Sequence, residues 1–349
     1  MVAMSGGVDS GVSAALLQQQ GYDVCGIYMR NWDSRDERGV CTSDKDWEEV
    51  QKTCGILGIE CDQVDFVKEY WNDVFQKTIE DYAHGLTPNP DIACNRAIKF
   101  GALLDKIPSD HWLATGHYCQ TREGRLFRGK DGKKDQSYYL SSVSEQALRR
   151  TIFPLGHLQS KNQTKELAHT FGLGFLTAKK ESMGICFVGQ KRRFDKFLEQ
   201  YIDQPPGPVV DLDGNLIGEH QGLYAYTIGQ ASRISNGSSK WVVAKKLMKE
   251  NTLVVVSGTN HPELFQWGCT ARDWVWINHK PPAAFDGQMV VDAQVRYRQA
   301  PERAVLTFKE GQYNVRFLDD PVRAIVAGQQ VVIWDKDWCL GGGVIDKVY

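Results

Sequence analysis

Ser5-Gly6-Gly7-Val8-Asp9-Ser10 sits between a short apolar run, Val2 to Met4, and a segment with apolar residues at helical spacing that ends at Gly21. That order predicts a strand, a glycine turn and a helix. A helix N-terminus carries unpaired amide donors and a partial positive charge, and paired glycines let backbone close around an anion with no Cβ in the way. The hydroxyls of Ser5 and Ser10 add donors, and Ala3, Met4 and Val8 supply flanking backbone, so residues 3 to 10 are assigned to a phosphate pocket. Asp9 would repel a bare phosphate, and its carboxylate is expected to hold Mg²⁺ accompanying a polyphosphate. No Gly-Lys-Ser/Thr follows, so this is not a Walker loop. An ordinary capped turn would explain Ser-Gly-Gly alone, but not all six residues between a strand and a helix.

Two of the nine cysteines stand in unusual company. Cys94 ends Pro88-Asn89-Pro90-Asp91-Ile92-Ala93-Cys94, where the prolines predict an extended turn before helical spacing resumes at Arg96. A thiol at the start of that helix would lean toward thiolate. Cys186 follows Gly184 with cations on both sides, Lys179-Lys180 and Lys191-Arg192-Arg193. Asp91, three residues before Cys94, is the candidate general acid or base, with a plain turn aspartate as the alternative. Cys25, Cys54, Cys119 and Cys339 lie in apolar surroundings and read as small buried hydrophobes. No Cys-x-x-Cys pair occurs, which fits neither a disulfide scaffold nor a zinc ribbon and points to a reducing compartment.

Ser5 to Ser10 resembles the signature of the N-type ATP pyrophosphatases, which cleave ATP between the α and β phosphates and leave AMP on an acceptor oxygen. Joined to Pro88–Asn95 and to Ser182-Met183-Gly184-Ile185-Cys186-Phe187, it makes the chain similar to the tRNA-specific 2-thiouridylases. Ala114–Tyr118, Lys134–Tyr138, Thr227–Gln230, Arg296–Arg298 and Cys339–Gly343 extend the resemblance over essentially the whole chain. Asn31-Trp32-Asp33-Ser34, Val40–Asp46, Ala147–Gly156 and Glu181-Ser182-Met183 look like the mitochondrial branch, with the bacterial cytoplasm as the alternative location. After Gln230 the family's basic, glycine-rich stretch is replaced by a less basic one, Ala231 to Gly237, which puts RNA contacts from that loop in doubt.

The resemblance implies that ATP adenylates O2 of the wobble uridine (position 34) of tRNAs for lysine, glutamate and glutamine. Cys186 then bears a persulfide taken from a sulfur-relay donor protein and attacks C2. Cys94 serves as the second thiol, either releasing sulfide from that persulfide or closing a disulfide with Cys186; both routes require the two to meet. An iron-sulfur cluster held by Cys94, Cys186 and a third ligand is the chemical rival. Met29 and Gly116 are assigned to the adenosine. Asn89, Pro90, Asp91, His117, Lys134, Asp135, Gln136, Arg296, Tyr297 and Gln329 are assigned to the tRNA, whose target base must leave its stack to be modified. A small-molecule ligase of the same superfamily, or a tRNA-binding protein without turnover, are the competing readings.

The elements that must position these groups fall into three parts. Up to about Phe194, strands (23–28, 60–65, 111–115) alternate with helical segments (44–57, 71–82), which predicts an α/β domain with a parallel sheet over residues 1–197. After Pro205-Pro206-Gly207-Pro208 the text turns to short strands, a small β-rich domain over 198–262. Residues 263–349 alternate over 290–298, 303–309, 313–318 and 330–335 and predict a C-terminal antiparallel barrel, with Arg296 and Tyr297 on a strand as a cation and a stacking face. The net charge of −2 argues against nonspecific coating of nucleic acid. No apolar stretch is long enough to span a bilayer, and no membrane partner is expected.

Overall fold

The computed structural model describes residues 1–32, 42–179, 194–234 and 240–349. Strand β1 (Val2–Met4) leads through the Ser5–Ser10 loop into helix α1 (Val8–Gln19), followed by β2 (Gly26–Arg30), helix α2 (Thr42–Leu57) and β3 (Cys61–Asp65). With β4 (Leu113–Ala114) and the strand Thr151–Ile152 they form a parallel sheet of order β3-β2-β1-β4 and then Thr151–Ile152. The chain reverses its direction of winding between β1 and β4. The crevice above the carboxyl ends of those two strands is therefore where a nucleotide belongs, and the Ser5–Ser10 loop and Gly116 both lie there.

The turn expected up to Asn95 is instead the first turn of a helix. Residues 90–106 are helical throughout, with a π-helical stretch, Asn95–Ala102, beginning directly after Cys94. Pro90 takes the first helical position, where its fixed φ suits the helix and its missing N–H costs nothing. Asn89 is the N-cap, its Oδ1 accepting from the Ile92 N–H at 3.4 Å. Cys94 thus lies one turn inside the helix and not at its start.

The central strands Trp241–Leu247, Thr252–Ser257, Gly207–Val210 and Leu216–His220 form one four-stranded sheet in that order. Beyond them six antiparallel strands close into a barrel: Gly268–Trp276, Gln312–Phe317, Glu302–Lys309, Gln288–Gln294, Gln330–Asp335 and Trp338–Val348, the last pairing back onto the first. The expected strand 290–298 stops at Gln294. Arg298 has a φ of +67°, incompatible with an extended run, so Arg296 and Tyr297 sit on a turn and not on a strand.

No periodicity announced a hairpin, Cys119–Arg122 with Arg125–Arg128, that leaves the α/β domain and adds to the edge of the barrel sheet, pairing Phe127 with Trp338 and Leu126 with Cys339. The strand Gln330–Asp335 consequently has apolar neighbours on both faces. Val331 and Ile333 fill the barrel, while Val332 and Trp334 enter a core cluster built mainly from the α/β domain, with Phe75, Ile98, Leu126 and Tyr138. Trp334 is fully buried, and the Arg128 guanidinium stacks 3.6 Å from its ring centroid. Trp334→Ala is expected to cost about 3–5 kcal/mol of stability by emptying this shared seat, visible as a lowered midpoint in urea unfolding.

Candidate active site

α1 starts at Val8 with Gly7 as N-cap, and no side chain caps the helix. Its first amides, which no turn of helix can satisfy, face the crevice as an anion site. Gly6 has a φ of +66°, a conformation glycine adopts without penalty. The loop is braced from within: Ser5 N–H donates to Ser10 Oγ at 3.1 Å, and Ser10 Oγ donates to the Gly7 carbonyl at 3.0 Å. Ala3 and Met4 are buried in β1 below it, and Val8 is half-buried. Lys179 donates to the Gly6 carbonyl at 3.2 Å and to Asp46 and Glu49 of α2, tying loop and helix together. Partial burial lowers its ammonium pKa, but those two carboxylates more than offset this and hold it above the ordinary lysine range.

Asp9 does not stand alone. Lys161 Nζ lies 2.5 Å from both carboxylate oxygens, and the Tyr118 hydroxyl donates to Oδ1 at 2.8 Å while meeting Thr164 Oγ1 at 2.7 Å. Lys161 was missed by the sequence reading. It is the first residue of the helix Lys161–Thr170, capped by Ser160, and a cation there opposes the helix dipole. That misplacement was the available signal of a cation kept for an anion. A nucleoside triphosphate fits the amides and Lys161. Mg²⁺ fits a site of one carboxylate completed by phosphate oxygens, with Asp9 as the protein ligand.

The segment 115–118 joins this loop to the helix 90–106. A Cβ on Gly116 would lie 2.9 Å from the Asp9 carbonyl carbon and 3.0 Å from Ser10 N, so the close neighbour that demands glycine is the first turn of α1. His117 Nδ1 meets Thr115 Oγ1 at 2.7 Å and its Nε2 meets Lys99 Nζ at 3.4 Å, with the ring packed near Phe100 and Phe153. Desolvation, reinforced by the Lys99 charge, holds His117 well below its ordinary pKa and therefore neutral. Both of its nitrogens have partners within the protein, while the ring itself is only partly buried. Asp91, on the same helix as Lys99, has its carboxyl raised from 3.8 to about 6 by burial, against the pull of Lys99. A carboxyl poised there suits proton transfer near neutrality.

Other residues assigned to the tRNA also make hydrogen bonds within the protein. The Asp135 carboxylate accepts from Gly129 N at 2.9 Å, Ser137 N at 3.1 Å and Ser137 Oγ at 2.6 Å, and pairs with Arg128 at 3.4 Å. Gln136 Oε1 accepts from the Tyr118 N–H at 3.1 Å, which holds Tyr118 over Asp9. Gln329 Nε2 donates to the carbonyls of Thr87 at 2.8 Å and Pro88 at 3.4 Å, bracing the approach to Asp91 from the barrel. Lys246, from the central sheet, donates to the Gly85 carbonyl at 3.1 Å, bracing it from the other side. Asn89 is spent on the cap described above, and Pro90 is buried behind it.

Lys134 is half-buried. Tyr297 packs against Tyr139 with ring centroids 4.4 Å apart and the planes tilted by 43°, the Arg298 guanidinium lies 5.6 Å from the Tyr297 ring, and Arg296 donates to the Arg323 carbonyl at 2.9 Å. Met29, half-buried on β2 opposite Val64, packs against the core below the crevice. Cys94 is buried on the helix 90–106. Cys186 lies outside the described residues, as do Asp33, Ser34, Cys41 and the segment 235–237. Among the described residues no three His, Cys, Asp or Glu side chains gather into a metal-sized cluster. A cavity of about 960 Å³ opens at the opposite end of the sheet, beside Met1, Asp23 and Trp112, and contains none of the assigned residues.

Three family models cover the chain: tRNA methyl transferase HUP domain over residues 1–190, tRNA methyl transferase PRC-barrel domain over 195–257, and Aminomethyltransferase beta-barrel domain over 266–345. The chain is 45% identical over 358 residues to the tRNA-specific 2-thiouridylase MnmA of Halalkalibacterium halodurans, covering all of this chain and 94% of that protein. The chain belongs to the tRNA-specific 2-thiouridylase family. A second 2-thiouridylase, from Alkaliphilus oremlandii, is 42% identical over 359 residues, covering all of this chain and 97% of its own. Both organisms are bacteria, so these relatives lend no support to the mitochondrial branch.

In this 2-thiouridylase fold two residues carry separable expectations. Lys161→Gln is expected to weaken ATP binding about tenfold, since a hydrogen bond to a charged group contributes about 1.5–3 kcal/mol, read by calorimetric titration. Asp91 binds its proton more tightly folded than unfolded, so the stability tied to that proton is complete below pH ~4 and lost as pH rises through about 6. Asp91→Asn does not titrate, and its stability relative to the parent should therefore rise by on the order of 2 kcal/mol between pH ~4 and ~7, measured by urea unfolding across that range.

Proposed function

We propose that the chain is an ATP-dependent tRNA-uridine 2-sulfurtransferase acting on the wobble uridine of tRNAs for lysine, glutamate and glutamine. One observation carries this reading. Gly116 seats against the Ser5–Ser10 loop, His117 binds Lys99 of the Asp91 and Cys94 helix, and Tyr118 binds Asp9. Three consecutive residues thereby face the phosphate site and the thiol-bearing helix into one crevice.

The carbonyl oxygen at C2 of uracil is a poor leaving group, and linking it to AMP changes that. The α1 amides and Lys161 face the phosphates, and Asp9, now paired with Lys161, would be the protein ligand of an Mg²⁺ that would supply charge to neutralise the departing pyrophosphate. Asp91 accepts the N3 proton as O2 attacks the α phosphorus and pyrophosphate leaves. The terminal sulfur of a Cys186 persulfide, supplied by a sulfur-relay donor protein, bonds to C2 as AMP departs. Cys94 then attacks the inner sulfur of Cys186, the S–S bond to the base breaks, the thiolated base regains its proton, and a Cys94–Cys186 disulfide remains for thiol reduction. Tyr297 with Arg298 and Arg296 offers stacking and charge at the barrel side of the crevice. The compartment we assign is the mitochondrial matrix, on the organellar resemblance of 31–34 and 147–156, with the bacterial cytoplasm as the alternative.

Incubation with ATP, Mg²⁺, a persulfide donor and unmodified tRNA is expected to yield 2-thiouridine, AMP and pyrophosphate in equal amounts. Cys186→Ser should lose thiolation while still releasing pyrophosphate in the presence of tRNA. Thiolation surviving in Cys186→Ser removes the sulfur assignment, and pyrophosphate release independent of tRNA favours a small-molecule substrate.

A further inference from the structure

Three cysteines that the proposed mechanism does not use meet at the amino ends of β2 and β3, the end of the sheet remote from the nucleotide crevice. Cys25 immediately precedes β2, Cys61 opens β3 as the register partner of Gly26, and Cys54 lies in the last turn of α2 above them. Gly26 marks how tightly they converge: a Cβ built on it would lie 3.0 Å from Cys54 Sγ and 3.2 Å from Cys61 Cβ. The Cys54 and Cys61 side chains thus flank the same glycine. Their environments differ. Cys54 is 1% exposed, whereas Cys61 is half-buried and open to a small solute.

We propose that Cys54 and Cys61 form an oxidisable dithiol, with Cys61 the thiol attacked by a peroxide and Cys54 the resolving thiol. Cys61 sulfur attacks one peroxide oxygen, the O–O bond breaks, and water leaves, giving a sulfenic acid. Cys54 sulfur then attacks the Cys61 sulfur, a second water leaves, and the S–S bond closes; two thiols are oxidised and one peroxide is reduced. Disulfides in reducing compartments are transient or sensing devices, which matches an asymmetric pair in a chain otherwise lacking a disulfide framework. Only residues 58–60 connect α2 to β3, turning at Gly58 with φ +67°. Burial keeps Cys54 protonated, its pKa pushed up to about 12, so the more accessible Cys61 and not Cys54 is the thiol that meets peroxide first.

The sequence makes the test clean. Trypsin cuts after Lys52 and Lys68 and leaves both cysteines in the single peptide 53–68, while Cys25 falls in peptide 1–30. After stoichiometric hydrogen peroxide, alkylation and digestion of the full chain, peptide 53–68 should be two hydrogens lighter and carry no alkyl group; thiol reductant should restore both alkylation sites. Cys54→Ser should leave Cys61 trapped as a sulfenic acid adduct by a 1,3-diketone probe, and Cys61→Ser should leave Cys54 fully alkylated. A doubly alkylated peptide 53–68 after peroxide overturns the proposal, as does a crosslink of 53–68 to peptide 1–30. These outcomes are read without tRNA or ATP, so they stand or fall apart from the thiolation chemistry.

Discussion

The four residues 115–118 are the constraint on which the site depends. β4 is only two residues long and delivers them to the mouth of the sheet. From there Gly116 allows van der Waals contact with the start of α1, and its neighbours reach in opposite directions, Tyr118 to Asp9 and His117 to Lys99. A side chain at 116 would push the phosphate loop away, and a charged His117 would set two cations against each other. The neutral imidazole, held so by desolvation, accepts from Lys99 and leaves that ammonium as the electrostatic partner of Asp91. One short segment thus fixes both the glycine loop and the charge that faces Asp91.

Around it, polar groups that look available for RNA are consumed in holding the crevice open at the right shape. Asp135 accepts three hydrogen bonds from its own loop, Gln136 fixes the backbone of Tyr118, and Gln329 grips the two carbonyls before Asn89. An unpaired buried acceptor costs about 1–3 kcal/mol, which is reason enough for these pairings. The barrel and the central sheet therefore both hold the backbone leading into the helix 90–106, through Gln329 at Thr87 and Lys246 at Gly85.

The phosphate loop, the parallel sheet and the closing barrel were legible because each has a local signature: glycine turn before helical spacing, alternation of strand and helix, and period-two strands. The Pro88–Asn95 stretch misled because proline reads as a breaker, although at the first helical position it starts the helix. Lys161 at a helix start hinted at an anion, but its partner, Asp9, is distant in the chain and only the fold brings the two within hydrogen-bond range. The hairpin 119–128 carried no signal of its destination, since pairing to Trp338 and Cys339 is decided by the tertiary arrangement. Polar residues such as Gln136 and Gln329 also brace the backbone around the crevice, a role that residue type alone does not announce.

The seam between the α/β domain and the barrel also bears on how the polypeptide matures during translation. Val332, Trp334 and Cys339 belong to the same core cluster as Ile27, Phe75 and Leu113. The nascent N-terminal half therefore leaves the ribosome with an open flank that nothing it has yet synthesised can cover. The flank of this core that Val332, Trp334 and Cys339 cover is thus completed only by a segment made long after the α/β domain it seals.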